Sequence, residues 1–373
     1  MKQLCVISAP PDTYSGYGAR SRDFIKAVYE LKKDEWDIVI IPQRWGNTNW
    51  GFIDDNKDEW GWMKDLYIKA NLTQQPDVWI QITVPNEFQP MGKVNIGVTA
   101  GIETTICDHS WIEGCNRMNV VFASSKHAKD VFVNSTFDQK DQQGKVIRTI
   151  KLEKPVEILF EGVDLNKYFH VPSNEMPSTE LVDTLDDIKE SFNYLFVGHW
   201  LQGELGQDRK DVGMMIKTFL ETFKGKKNKP GLILKTSTVT ACIMDRDEIL
   251  KRIDAIKRLV GGNDLPNIYL LHGDLEDSDM NDLYNHAKVK AMISFTKGVP
   301  LEAIFNPQLV ELIENENYDE AIEFVKKTYP KVSVYGVETL CVEWVEEGKE
   351  FYITEYDGLE SIVYKDKIKW ITA

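Results

Sequence analysis

The stretch from Asn95 to Phe132, NIGVTAGIETTICDHSWIEGCNRMNVVFASSKHAKDVF, decides the fold class. A β-rich run from Val94 to Thr99 leads into a polar loop, a second run covers Asn119 to Ala123, and a helical pattern follows from Ser125 to Phe132. Short apolar runs alternating with helical patterns are the sequence form of a parallel sheet, because each parallel crossover needs a helix-length connection. The alternation extends both ways. Upstream, Leu4 to Ser8 reads as a buried strand and Pro10 to Gly18 as a loop. Ala19 to Lys33 reads as a helix with Phe24, Val28 and Leu31 on one face, and strands fit Trp36 to Ile41 and Asp77 to Thr83. Downstream, Val156 to Phe160 completes this half.

From His170 to Glu190 the chain turns polar and acidic with two prolines, which suits a linker. Alternation then restarts, with strands at Tyr194 to Val197, Leu232 to Thr236, Ile268 to Leu271 and Val289 to Ser294, and helices at Asp211 to Phe223, Asp247 to Leu259 and Asp279 to His286. After Asn306 two short amphipathic helices precede a run of short strands punctuated by turn signals at EEGK and YDG, the mark of an antiparallel meander. The expected organisation is a Rossmann-like domain over 1–170, a linker over 171–190, a second Rossmann-like domain over 191–305 and a small α+β module over 306–373.

Composition narrows the function classes. No window reaches the roughly 18 apolar residues of a membrane span and the start lacks a signal-peptide pattern, so a cytoplasmic setting is expected. Five scattered cysteines argue against a disulfide framework. A net charge of −15 disfavours a surface that wraps a phosphate backbone, while leaving room for a local basic cleft.

Two glycines, Gly16 and Gly18, follow the first strand in TYSGYGARSRDF and precede a helix, where amides can meet an anionic or hydroxyl-rich ligand. The spacing is not GxGxxG, and a tight turn explains the same glycines. More specific is the opening stretch joined to VEILFEGVDLNKYF: Glu103, Thr104, Trp111, Ser124, Gly162, Val163, Asp164 and Phe169 fall where the retaining nucleotide-sugar glycosyltransferases of the GT-B fold carry such residues. The sequence resembles that family (glycosyltransferase group 1, family 4-like) over about residues 1 to 303. The resemblance implies two Rossmann-like halves, an acceptor site in the first and the reacting sugar in the cleft between them. It places Glu103 on the acceptor side and His109, in the loop just past it, against the sugar, although an exposed loop histidine without function fits that position equally.

The second half continues the likeness. FNYLFVGHW ends a strand on Gly198, and a loop carrying Arg209 and Lys210 precedes a helix. In the family such cations grip the donor diphosphate, and fixed positive charge stabilises a leaving group that gains negative charge as the glycosidic bond breaks. Lys235 ends the strand in GLILKTST and offers a third cation, though a solvated surface charge is the alternative for all three. In SFTKGVPLEAIFNPQ the family pattern of glutamate, glycine-rich turn, proline and second glutamate survives only at its end. Glu302 matches the ribose-binding carboxylate and the donor-facing glutamate has no counterpart, so the donor half reads as truncated.

Two metal patterns compete. Asp245-Arg246-Asp247 matches an Asp-x-Asp motif, but acidic residues at a helix start also serve the helix dipole. Cys107, His109 and Cys115 match no zinc spacing. No cofactor or metal is expected beyond a nucleotide-sugar donor such as a UDP-sugar. The stretch EFYITEYDGLESIVY resembles short proteins of large tailed phages, which implies a phage-encoded enzyme in the host cytoplasm and brings a hydroxymethylated DNA base among the acceptor candidates, beside a glycan or small molecule. The rival class is an inactive transferase scaffold that lost its donor loop and only binds.

Overall fold

The computed structural model describes residues 2–102, 104–201, 205–208, 210–238, 242–293, 306–315, 317, 320–321, 323–324, 327, 332–335, 341–346 and 349–350. Chain contacts divide the protein into two compact units, Met1–Gly162 and Val163–Ala373.

The first unit is built on six strands, β1 (Gln3–Ala9), β2 (Trp36–Pro42), β3 (Val78–Ile82), β4 (Val94–Thr99), β5 (Val120–Ala123) and β8 (Val156–Ile158). They lie in the order β2-β1-β3-β4-β5-β8, and every neighbouring pair is parallel. β1 shows why. Its side chains alternate between two cores, Leu4 and Val6 with Trp79, Ile112 and Phe132 in one, Cys5, Ile7 and Ala9 with Ile25 and Ile38 in the other. A strand buried on both faces reads as a continuous apolar run and needs cover on both sides, as parallel crossovers supply. Among the covering helices are α1 (Gly16–Lys32), α2 (His109–Arg117) and α3 (Lys126–Asn134).

Three local features differ from the sequence reading. Helix α1 starts at Gly16, because Ser15 caps it by accepting the Gly18 N–H at 2.9 Å; Gly16 and Gly18 stand in its first turn and not in a loop. Of the apolar face expected on α1, Phe24 and Val28 pack partly buried against the core while Leu31 is 76 % exposed, and the buried positions include Ser21, Arg22 and Ile25. The polar segment after α3 forms a hairpin of β6 (Phe137–Lys140) and β7 (Val146–Ile150).

The second unit holds a four-stranded parallel sheet of β9 (Asn193–His199), β10 (Gly231–Ser237), β11 (Ile268–Leu271) and β12 (Val289–Ile293), in the order β11-β10-β9-β12. Alternation again separates two cores. Tyr194, Phe196, Leu232 and Leu234 pack with Val212 and Phe219, whereas Leu195 and Ile233 pack with Leu185, Leu283 and Tyr284. Leu185 belongs to α4 (Glu180–Asp186), a helix inside the segment expected as a linker, started by Thr179 accepting the Val182 N–H at 3.2 Å. α5 (Val212–Phe223), α6 (Ile243–Val260) and α7 (Asp277–Asn285) complete the layers. Beyond them lie, among the described residues, α8 (Pro307–Glu314) and three short strands, β13 (Val332–Tyr335), β14 (Cys341–Glu346) and β15 (Lys349–Glu350), paired antiparallel in sequence order; the EEGK signal falls between β14 and β15, and the YDG signal lies outside the described residues.

Candidate functional site

An open parallel sheet binds ligands at the carboxyl ends of its strands, where successive crossovers leave in opposite directions. In the first unit that switch point lies between β1 and β3. An open notch of about 70 Å³ occupies it, walled by Ser8 from β1, Arg44 and Trp45 after β2, and Gln81, Thr83 and Glu87 at and after β3. Trp45 stacks on Tyr17 with ring centroids 3.9 Å apart. Tyr17 is fixed in turn, since its hydroxyl meets Thr99 Oγ1 at 3.0 Å and accepts the Ala100 N–H at 3.1 Å. The Glu87 carboxylate accepts the Thr83 hydroxyl at 2.5 Å, and the Gln81 side-chain amide is held by Glu87 O and the Gln89 N–H.

The loop after β1 is wired tightly. Arg22, 6 % exposed, donates to Pro11 O at 2.8 Å and Thr13 O at 3.1 Å, with its guanidinium carbon 3.4 Å from the Phe52 ring centroid. Buried Asp12 accepts the Ile53 N–H at 2.8 Å. This wiring separates the two glycines. A Cβ on Gly18 would fall 2.2 Å from Thr13 O, so the turn itself demands glycine there, whereas a Cβ on Gly16 would meet open space.

His109 stands at the first position of α2, not in the loop expected for it. Its ring is 55 % exposed, with Nδ1 3.4 Å from the Asp108 carboxylate and an edge toward Phe137. Glu103 lies outside the described residues. Cys107 and Cys115 are core side chains, and burial pushes the Cys115 thiol up to about 12. Arg44, Trp45, Tyr17 and Glu87 were not singled out in the sequence. The available signal was that PQRWG and TVPNE each follow a strand flanking β1.

In the second unit the switch point lies between β9 and β12. Gly198 and His199 end β9 there, and Ser237 is in register with His199 on the adjacent β10. His199 Nδ1 lies 3.1 Å from Ser237 Oγ. Lys235, on the same strand end, is half-buried and donates to Gly273 O at 2.6 Å. The surrounding protein lowers the His199 pKa by desolvation, and the positive charge of Lys235 lowers it further. Desolvation also lowers the Lys235 pKa, with Asp274 opposing it. Lys210 is half-buried just before α5, where Asp211 takes the left-handed φ of 47° rare outside glycine. Arg209 and Glu302 lie outside the described residues, as does the 294–305 segment read as a truncated donor turn.

Asp245 does something other than cap or chelate. Its carboxylate accepts the Thr238 N–H, at 3.0 Å to one oxygen, and the Thr238 hydroxyl, while His272 Nε2 sits 2.8 Å from Oδ2; the Asp245 and His272 side chains are both buried. Both oxygens are therefore engaged, and the pair ties the loops after β10 and β11 to α6. Asp247 is exposed, 3.7 Å from Arg246. Among the described residues no group of three His, Cys, Asp or Glu side chains is arranged to hold a metal ion, and no helix is long and apolar enough to cross a membrane.

No protein-family model matches the sequence, and no curated protein matches it. Solved structures similar to the chain include a trehalose-6-phosphate protein from E. coli bound with UDP-2-fluoro glucose, at 12 % identity over 80 % of each chain with a TM-score of 0.41. Another is an α,α-trehalose-phosphate synthase (UDP-forming) from Burkholderia vietnamiensis, at 11 % identity over 83 % of this chain and 80 % of that one with a TM-score of 0.38. The N-terminal domain of Candida albicans trehalose-6-phosphate phosphatase follows at 10 % identity, 84 % and 82 % coverage and a TM-score of 0.39. At these values the likeness assigns no chemistry to this chain.

Proposed function

We propose that the protein is a glycosyltransferase that moves a sugar, with retention, from a nucleotide-sugar donor to a hydroxyl acceptor. One observation carries the reading: the switch-point edge of the second unit presents Lys235 and His199 on adjacent strand ends, with Lys210 before the next helix, while the switch-point edge of the first unit presents a polar, aromatic-walled notch. On this reading the cationic edge takes the diphosphate. Lys235 spends one of its three N–H donors on Gly273 O and keeps two for phosphate oxygens. His199 adds a ring N–H when its Nδ1 accepts from Ser237, and Arg209 with Lys210 supplies further charge from the preceding loop. Glu302 holds ribose, and the notch holds the acceptor. His109 and Glu103 are assigned to the sugar on sequence resemblance alone.

Calorimetric titration with a panel of nucleotide sugars tests the donor half. Binding that weakens at least tenfold in Arg209→Ala is the expected result; absence of heat with every nucleotide sugar would remove the transferase reading. The lack of a counterpart to the donor-facing glutamate ahead of the retained stretch 298–303 favours a second reading, a scaffold that binds donor without turnover. Binding without nucleotide release over any acceptor would select it.

A further inference from the structure

We propose that the notch of the first unit takes a saccharide bearing an anionic group, phosphate or carboxylate, and that Arg44 reads that group. This rests on the acceptor assignment made above.

Arg44 is the reason for the charge. Its guanidinium lies 4.7 Å from the Trp50 ring centroid, a cation–π contact that orients the fork without neutralising it. Among the described residues no carboxylate lies within ion-pairing distance of it, although acidic residues outnumber basic ones 59 to 44 in the chain. A guanidinium left without a carboxylate at the wall of a polar notch presents two parallel N–H donors, the geometry that matches a planar carboxylate or a phosphate face.

Glu87 supplies the opposite end. Its carboxylate already accepts from Thr83, and its remaining lone pairs accept only from donors, so that side of the notch selects hydroxyls and repels a second anion. The two charges therefore give the site a direction, with the acidic group of the ligand at Arg44 and neutral hydroxyls toward Glu87. Between them stands Trp45, locked against Tyr17, an aromatic wall of the kind on which the C–H face of a sugar ring rests. The volume of about 70 Å³ suits one edge of a ring with its substituent, the remainder of the ligand extending outward.

The test is calorimetry of the full chain with glucose 6-phosphate, glucuronate, glucose and inorganic phosphate, for the wild type, Arg44→Gln and Glu87→Gln. At least one of the two anionic sugars is expected to bind about tenfold or more tightly than glucose, with Arg44→Gln erasing that difference and Glu87→Gln weakening all the sugars together. Which anionic sugar binds tells phosphate from carboxylate. Glucose binding as tightly as its anionic forms, an anion preference that survives Arg44→Gln, or inorganic phosphate binding as well as glucose 6-phosphate would each overturn the proposal. The same panel of nucleotide sugars is titrated into the same samples. Nucleotide-sugar binding without sugar binding overturns only the proposal for the notch, whereas sugar binding without nucleotide binding supports the notch and overturns the transferase reading.

Discussion

Replacing Lys235 with Met keeps the length of the side chain and removes its charge, so it isolates the electrostatic contribution to the donor edge. Lys235 sits on a strand end, half-buried, with Nζ fixed by a 2.6 Å bond to Gly273 O. A fixed ammonium in such surroundings needs no reorganisation when charge develops on the departing diphosphate, which is the condition for strong transition-state stabilisation. One charge-assisted hydrogen bond sets a floor of about 2 kcal/mol and loss of a pre-organised donor a ceiling of about 4 kcal/mol, which corresponds to a fall of roughly 30- to 900-fold in kcat/KM. Because the phosphate charge grows along the reaction, kcat should fall more than KM rises. The assay is steady-state nucleotide release, with circular dichroism melting as the control for folding. A variant that melts like the wild type and retains kcat/KM within about threefold would refute the assignment of Lys235 to the diphosphate.

Further outcomes follow from the same geometry. Gly18→Ala should destabilise by about 1–3 kcal/mol in urea denaturation because the new Cβ meets a backbone carbonyl, while Gly16→Ala, at an unobstructed helix position, should be neutral or stabilising by up to about 1 kcal/mol. Asp245→Ala removes the partner of both the Thr238 N–H and His272 inside the second unit and should cost about 3 kcal/mol, read as a shift in the urea midpoint. His199 has a folded pKa below its ordinary value of 6.5, so the unfolded chain binds its proton first and stability falls as pH drops from 6.5 toward the lowered value. His199→Gln should reduce that part of the slope of melting temperature against pH; an unchanged slope below 6.5 would contradict the lowered pKa of His199.

What was legible in the sequence follows from how each element is stabilised. β1, β9 and β10 are buried on both faces, and their apolar runs stand out without any tertiary information. The hairpin of β6 and β7 did not, because its strands are mostly exposed and polar and depend on pairing with each other. Leu31 misled because apolar spacing does not say how far along a helix the cover extends; Phe24 and Val28 pack on the core, beside a buried Ser21 and Arg22 that no apolar period marks. Helix α4 hid in an acidic stretch, its Val182 and Leu185 too few to register as a period. Gly198 and Lys235 lie near strand ends, as their place in the sequence indicated, which is the position from which an α/β sheet can offer them to a ligand. The notch was not, since Arg44, Glu87 and Tyr17 meet only once the order β2-β1-β3 sets three separate strand ends side by side. Asp245 was visible as an acidic helix start, but its partner His272 follows a different strand and only the fold joins them.

The central claim is sugar transfer from a nucleotide donor, and the most direct measurement is nucleotide release from a panel of nucleotide sugars, with and without glucose 6-phosphate and a hydroxymethylated duplex as acceptors. The account predicts acceptor-stimulated release that is lost in Arg209→Ala and reduced in Lys235→Met. Release indistinguishable from a protein-free control across every donor and acceptor would contradict it.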